Sequence, residues 1–195
     1  MPKNFNESET KINLMRAFAG ESQARNRYTF AAAVAKKEGL PLIADLFSYT
    51  AGQEKEHAEI FYNYLMSAAG ENIRIDAAYP IDPSNPLSAI LGAAHKNEYE
   101  EYQTVYPAFA GIAEEEGYSD IAFSFRAIAA IEKTHGDRFG IYEELLKSNQ
   151  LFTRDTSAKW VCLNCGHIHD GTGAPTVCPV CHHPQGYFMG DFLPR

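Results

Sequence analysis

The tetrapeptide Glu54-Lys55-Glu56-His57 returns almost unchanged as Glu132-Lys133-Thr134-His135, and its surroundings return with it at a constant offset of 78 residues. Gly39, Ile43, Ala44, Phe47, Phe61 and Tyr64 reappear as Gly117, Ile121, Ala122, Phe125, Phe139 and Tyr142. A helical unit has been duplicated. Residues three apart on a helix share a face, so each copy can aim one carboxylate and one imidazole at a single metal ion. A lone Glu-x-x-His reads as a solvated helix surface; a duplicated one reads as a binding face. Each copy also has an upstream glutamate on a preceding helix, with Glu21 standing 33 residues before Glu54 and Glu98 standing 34 before Glu132.

This pattern resembles the ferritin-like carboxylate proteins, in which two helices give a Glu each and two give a Glu-x-x-His each, all directed inward. The expected fold is therefore mainly α, a four-helix bundle over residues 1–147. Helix one is predicted over Lys11 to Lys37, started by Asn6 with Glu9 and ended by Gly39-Leu40-Pro41. Helix two follows from about Leu42 to Ala69, helix three from about Leu87 to Glu116, and helix four from Ser119 or Asp120 to Lys147. Leu14, Phe18, Glu21, Arg25 and Tyr28 recur at helical steps, which puts Glu21 on or beside an apolar stripe. Leu46, Tyr49, Glu54, His57, Phe61 and Leu65 track one face of helix two in the same way. Pro80, Pro83 and Pro86 make the stretch 71–86 a long crossover, the connection a ferritin-like bundle needs between its helix pairs. Pro107 lacks a backbone donor and predicts a bend in helix three, two turns beyond the ligands.

A net charge of −8 excludes the basic stripe that nucleic acid requires, so a cationic ligand fits better. No apolar run reaches the ~18 residues of a membrane span. The segment Met1-Pro2-Lys3-Asn4-Phe5-Asn6-Glu7 has no basic-then-apolar targeting pattern, which predicts a cytoplasmic protein. Five acids (Glu21, Glu54, Glu98, Glu101 and Glu132) face inward on the predicted helices, and two Fe²⁺ would cancel four of their charges. Glu101 enters because it follows Glu98 by three residues on the same face. The candidate metal shell, which is also the candidate catalytic set, has seven members: Glu21, Glu54, His57, Glu98, Glu101, Glu132 and His135. Carboxylates with only two imidazoles suit Fe or Mn, and bridging glutamates hold two such ions ~3.5–4 Å apart. Tyr28, Tyr102 and Tyr106 either support the ligands or line the site, or else are core tyrosines; His95 reads as a surface group.

After a polar linker over 148–158, the last 36 residues hold all four cysteines and the only Trp. Cys162-x-x-Cys165 and Cys178-x-x-Cys181 are separated by twelve residues, and four thiolates at this spacing close a tetrahedral site. A pair of disulfides fits a reducing compartment poorly. His167, His169, His182 and His183 read as surface groups, since four sulfurs already fill the tetrahedron. Such a centre has no open position and passes single electrons, whereas a pair of irons delivers two together.

With both halves in this order, the chain resembles a rubrerythrin. Phe18-Ala19-Gly20-Glu21-Ser22-Gln23-Ala24 is similar to the family's first ligand motif, and the likeness spans about 5–147 and a rubredoxin-like tail over about 158–195. The resemblance implies that Glu54 and Glu132 bridge two irons, that Glu21 binds one terminally, and that Glu98 with His135 binds the other. It implies that Glu101 and His57 exchange on the first iron as the oxidation state changes, and that Cys162, Cys165, Cys178 and Cys181 hold a third iron, which zinc can replace. The implied activity is reduction of hydrogen peroxide to water in oxidative-stress defence. Electrons would originate in NAD(P)H and arrive through a rubredoxin or a separate reductase, since the chain has no dinucleotide fingerprint. A homodimer with the tail of one subunit near the di-iron site of the other is also implied. Two other readings fit parts of the pattern: a ferroxidase of ferritin type, against which the tail stands, and a scaffold carrying a Zn ribbon, against which the inward glutamates stand.

Overall fold

The computed structural model describes residues 3–194; Met1, Pro2 and Arg195 lie outside the described residues, so the predicted tail ends one residue beyond them. Ser8 rather than Asn6 opens α1 (Glu9–Lys37): its hydroxyl accepts the Lys11 N–H at 3.1 Å, while Asn6 sits in a short 3-10 turn capped by Asn4. The N–H groups of Glu9 and Thr10 are taken at 3.1 and 2.8 Å by the Glu116 carboxylate, far away in the chain. Such a cap leaves no local signature. Gly39, at φ +75°, reverses the chain, and Pro41 begins α2 (Pro41–Tyr64) where a missing N–H costs nothing. A 3-10 turn over Leu65–Ala68 finishes that helix before Gly70.

The stretch 71–86 is without helix or strand and straps the bundle. Asp82 fastens it, accepting from Arg27 at 2.6 Å and from Asn97 at 3.0 Å. The third predicted helix is α3 (Leu87–Glu100), a π-helical turn over Glu101–Val105, and α4 (Tyr106–Glu115). The irregularity therefore begins at Glu101 itself, not two turns beyond the ligands. Tyr106 N–H reaches back five residues to the Glu101 carbonyl, and Pro107 lies harmlessly in the first turn of α4. A π turn accommodates one extra residue, and the repeat arithmetic contains it: Glu21 to Glu98 is 77 residues, but Tyr28 to Tyr106 is 78. The last helix is α5 (Ser119–Lys147).

In the bundle α1 packs along α2, and α3 and α4 pack along α5. Apolar side chains gather in two layers. One holds Tyr28, Phe47, Leu91 and Phe139; the other holds Leu14, Phe61, Tyr106 and Phe125. Phe47 stacks on Phe139 and Phe61 on Phe125, each with centroids 5.0 Å apart at 30°. Because Phe47 and Phe125 are equivalent in the repeat, as are Phe61 and Phe139, the two copies meet about an approximate two-fold axis. The four rings together contribute roughly 6–12 kcal/mol by burial, which offsets part of the several kcal/mol that each desolvated charge costs in the layer between them. Two residues assigned to the inward stripes face solvent instead: Arg25 is exposed and Tyr49 is 55% exposed, Ala24 and Thr50 filling the neighbouring buried positions. Helical steps of three or four locate a stripe only to within one residue at its edge.

In the tail β1 (Thr153–Cys162), β2 (Ile168–Gly173) and β3 (Phe188–Gly190) form an antiparallel sheet in the order β2-β1-β3. β1 starts within the stretch read as a linker. Trp160 is fully buried and its indole N–H donates to Gly171 O at 3.0 Å. Leu151, Met189 and Leu193 join the bundle's Phe47–Phe139 layer. A Cβ at Gly186 would fall 2.0 Å from Gly39 O, so only glycine lets the tail lie against the α1–α2 turn.

Candidate metal centre

Glu54 and Glu132 divide their oxygens between two histidines. His57 Nδ1 lies 3.1 Å from Glu54 Oε2 and 2.9 Å from Glu132 Oε1. His135 Nδ1 lies 3.0 Å from Glu54 Oε1 and 2.7 Å from Glu132 Oε2. Glu21 Oε2 closes the first half at 3.8 Å from His57, and Glu98 Oε2 closes the second at 3.5 Å from His135. The result is two overlapping four-ligand sets that share Glu54 and Glu132. All six residues are at most 5% exposed.

Glu101 stands apart. It belongs to neither set, is half-buried, and lines a cavity on the outer side of the cluster. Desolvation of its carboxyl, then the charges of Glu21, Glu98, Glu132 and Glu54, push its pKa well up. Glu101 thus stands at the edge of the cluster, at the residue where the π turn starts.

Burial does not act alike on Glu21, Glu98 and Glu54. Desolvation and the Glu132 charge raise Glu21 well above the carboxylate range, and desolvation with Glu54 pushes Glu98 up to about 8. Glu54 is also desolvated, yet His135 and His57 outweigh this and draw it down to about 2. Burial alone would lower both histidines; the carboxylates facing them reverse that, raising His135 to about 12 and His57 strongly in the same direction. Even so, Glu21 Oε2, Glu54 Oε1, Glu98 Oε2, both Glu132 oxygens and His135 Nδ1 are buried without a hydrogen-bond partner among the described residues. Buried polar atoms are rarely left so. Six orphans facing one another fit a pair of divalent ions bound by oxygen and imidazole nitrogen.

Tyrosines hold the ends. The Tyr28 hydroxyl of the first helix pair donates to Glu98 of the second, and Tyr106 of the second donates to Glu21 of the first. Burial, then the neighbouring carboxylates, keep both phenols protonated. Among the described residues Tyr102 has no such bond; it packs edge-on against Tyr99. Sequence reasoning missed Gln53, whose Oε1 lies 3.0 Å from His135 Nε2 and also accepts from Arg138 at 3.2 Å. The repeat could not reveal it, since Ile131 occupies the equivalent position. Nor is His95 a surface group: its Nδ1 lies 2.7 Å from Gly136 O and its ring packs on Tyr99, tying α3 to α5.

The four cysteines are free, and all four Sγ atoms lie within 4.8 Å of one another. Cys162 and Cys181 are 3.6 Å apart, and Cys165 and Cys178 are 3.7 Å apart. A tetrahedron with metal–sulfur bonds of ~2.3 Å has edges of roughly 3.8 Å, so the sulfurs stand ready for one ion. Two matching turns place them: Gly166 N–H donates to Cys162 O at 2.8 Å and His182 N–H to Cys178 O at 3.0 Å. The His183 N–H draws the Cys181 thiol down to about 5. No imidazole of the tail enters the cluster; His183 instead packs on Tyr187.

Comparison with known proteins agrees with both halves. The family profile described as Rubrerythrin matches residues 13–141, and the one described as Rubrerythrin, rubredoxin-like domain, matches residues 160–189. Rubrerythrin of Nitratidesulfovibrio vulgaris is 44% identical over 186 residues, covering 95% of this chain and 96% of that one. Rubrerythrin of Porphyromonas gingivalis is 45% identical over 188 residues, covering 96% and 92%. Among solved structures, nigerythrin in its mixed-valence state superposes with a TM-score of 0.63 at 27% identity, over 94% of this chain and 90% of that one. A bacterioferritin of Desulfovibrio desulfuricans, 19% identical, shares the fold with a TM-score of 0.66 over 73% and 82%. The chain belongs to the rubrerythrin family, oxidoreductases that pair a di-iron carboxylate centre with a rubredoxin-like iron knuckle.

Proposed function

We propose that this protein reduces hydrogen peroxide to water in the cytoplasm, as a defence against oxidative stress. Its electrons begin in NAD(P)H and reach it through a separate reductase or a rubredoxin. The observation that carries this reading is one chain holding both a buried cluster of six ligands with orphaned atoms and a closed set of four thiolates. The di-iron centre, when bound, supplies two electrons together, the number that splits an O–O bond without releasing a radical. The thiolate iron supplies them one at a time.

In this reading Glu54 and Glu132 would each serve both ions, because each already offers one oxygen to each histidine. Glu21 would hold the first ion, and Glu98 with His135 would hold the second. Tyr106 and Tyr28 fix the Glu21 and Glu98 carboxylates and keep protons beside them. The halves differ in how their histidines are anchored. Gln53 anchors His135 at Nε2, whereas among the described residues no side chain hydrogen-bonds Nε2 of His57. His57 and Glu101 are therefore the pair free to exchange on the first ion, Glu101 being carried by the π turn. In this reading the bundle unit would end at Lys147 and the knuckle unit would open with β1 at Thr153, which shortens the link to 148–152. Within one chain the Phe47–Phe139 layer separates tail from cluster, which favours a homodimer that brings the tail of one subunit to the cluster of the other.

The double variant Glu98→Ala/Glu101→Ala tests the reading. The tail should keep its colour while peroxide turnover falls by more than the roughly 10–100-fold that outer-shell changes cost. Turnover that survives the double change contradicts it.

A further inference from the structure

Between α1, the crossover and the π turn lies an open-mouthed cavity of about 340 Å³. Its inner end is made by Glu101 and by Tyr106, the phenol that holds Glu21. The walls are mostly apolar, with Gly20 from α1, Ala78 and Tyr79 from the crossover and Ala108 and Phe109 from α4, although Arg16 and Glu100 also reach the lining. Tyr79 is a fixed wall rather than a loose ring, since its hydroxyl donates to Arg16 O at 2.7 Å. A side chain at Gly20 would begin 3.5 Å from that ring, so the glycine keeps the passage open.

Hydrogen peroxide is about two water-sized units, roughly 60 Å³ at ~30 Å³ per water. The cavity is several times larger and falls in the ~300–1,000 Å³ class of small-molecule sites. Mostly apolar walls leading to a polar end suit a molecule of the same build. Resting on the peroxide-reductase reading, we infer that this cavity is a substrate pocket for organic hydroperoxides. The alkyl or aryl body lies against Ala78, Ala108 and Phe109, and the –OOH end lies beside Glu101 and Tyr106. The reaction is ROOH + 2e⁻ + 2H⁺ → ROH + H₂O. The O–O bond breaks; the carbon-bound oxygen gains one proton and leaves as the alcohol. The outer oxygen keeps its proton, gains another and leaves as water. Both electrons come from the ferrous form of the family's di-iron centre.

The first test is binding, without turnover. Oxidised, metal-loaded, full-length protein is titrated calorimetrically with 2-phenyl-2-propanol, the alcohol formed from cumene hydroperoxide. Saturable one-to-one binding is expected, weakened at least tenfold by Ala78→Trp and likewise by Ala108→Trp. Both positions are exposed, one on the crossover and one on α4, so the substitutions fill the pocket without burdening the core. Kinetically, each variant should lower the ratio of kcat/KM for cumene hydroperoxide to that for hydrogen peroxide at least tenfold. Absence of saturable binding, binding indifferent to both tryptophans, or an unmoved ratio overturns the inference. A wild-type protein that reduced neither peroxide would sink the functional reading instead, and the alcohol titration would still decide whether the cavity is a pocket.

Discussion

The two metal sites of this chain are built by opposite means. The knuckle draws four ligands from two tight turns in the last 36 residues, sets them at tetrahedral spacing, and leaves no opening. The bundle site draws ligands from four helices spread over more than a hundred residues, buries them between two aromatic layers, and leaves one side facing a cavity. Local turns suffice where a site only relays electrons. Chemistry on a substrate needs a seam between packed elements, where ligands are rigid on one side and replaceable on the other.

Independence of the two sites is the sharpest consequence. Glu132→Ala removes an oxygen from each half of the bundle site and should abolish metal uptake there while leaving the tail's spectrum intact. Cys178→Ala should do the reverse, removing the tail's colour and leaving two ions in the bundle. Metal analysis with visible spectroscopy reads both; loss of both metals from either variant would mean the sites fold as one unit. A smaller effect is expected from Tyr106→Phe, which frees Glu21 without removing a ligand. Such supporting bonds are typically worth 10–100-fold in metal affinity or activity, and the effect should fall on the bundle site alone.

How far these differences could be read from the sequence follows the same division. The cysteine turns are local and legible from spacing. The four helices, the crossover and the ferritin-like fold were legible because duplication made a weak motif emphatic. Gln53 was not, because it breaks the repeat, and Glu116 was not, because it caps α1 from the end of α4. The π turn lay between these cases. Its extra residue is present in the shift of offset from 77 to 78, but only the backbone shows that Glu101 sits at that step.

Proton release should separate the site's two states. In the metal-free cluster Glu98 is raised to about 8 and His135 to about 12, so both carry protons at neutral pH. Bound ions require the carboxylate and the neutral imidazole. Metal uptake must therefore expel protons, and affinity should climb as pH rises toward 8 and Glu98 ceases to compete. Calorimetry in buffers of different ionisation heat should find about two or more protons released per pair of ions. A value near zero would mean the ions do not occupy these ligands.

In the proposed reaction electrons pass from the thiolate iron through the di-iron centre to peroxide. The direct measurement is anaerobic: the purified protein is reduced, mixed with one equivalent of hydrogen peroxide, and followed by the visible absorption of the Cys162–Cys165–Cys178–Cys181 centre. Colour that returns far faster with peroxide than with air is the result expected. A reduced protein whose knuckle stays bleached in peroxide would contradict the account.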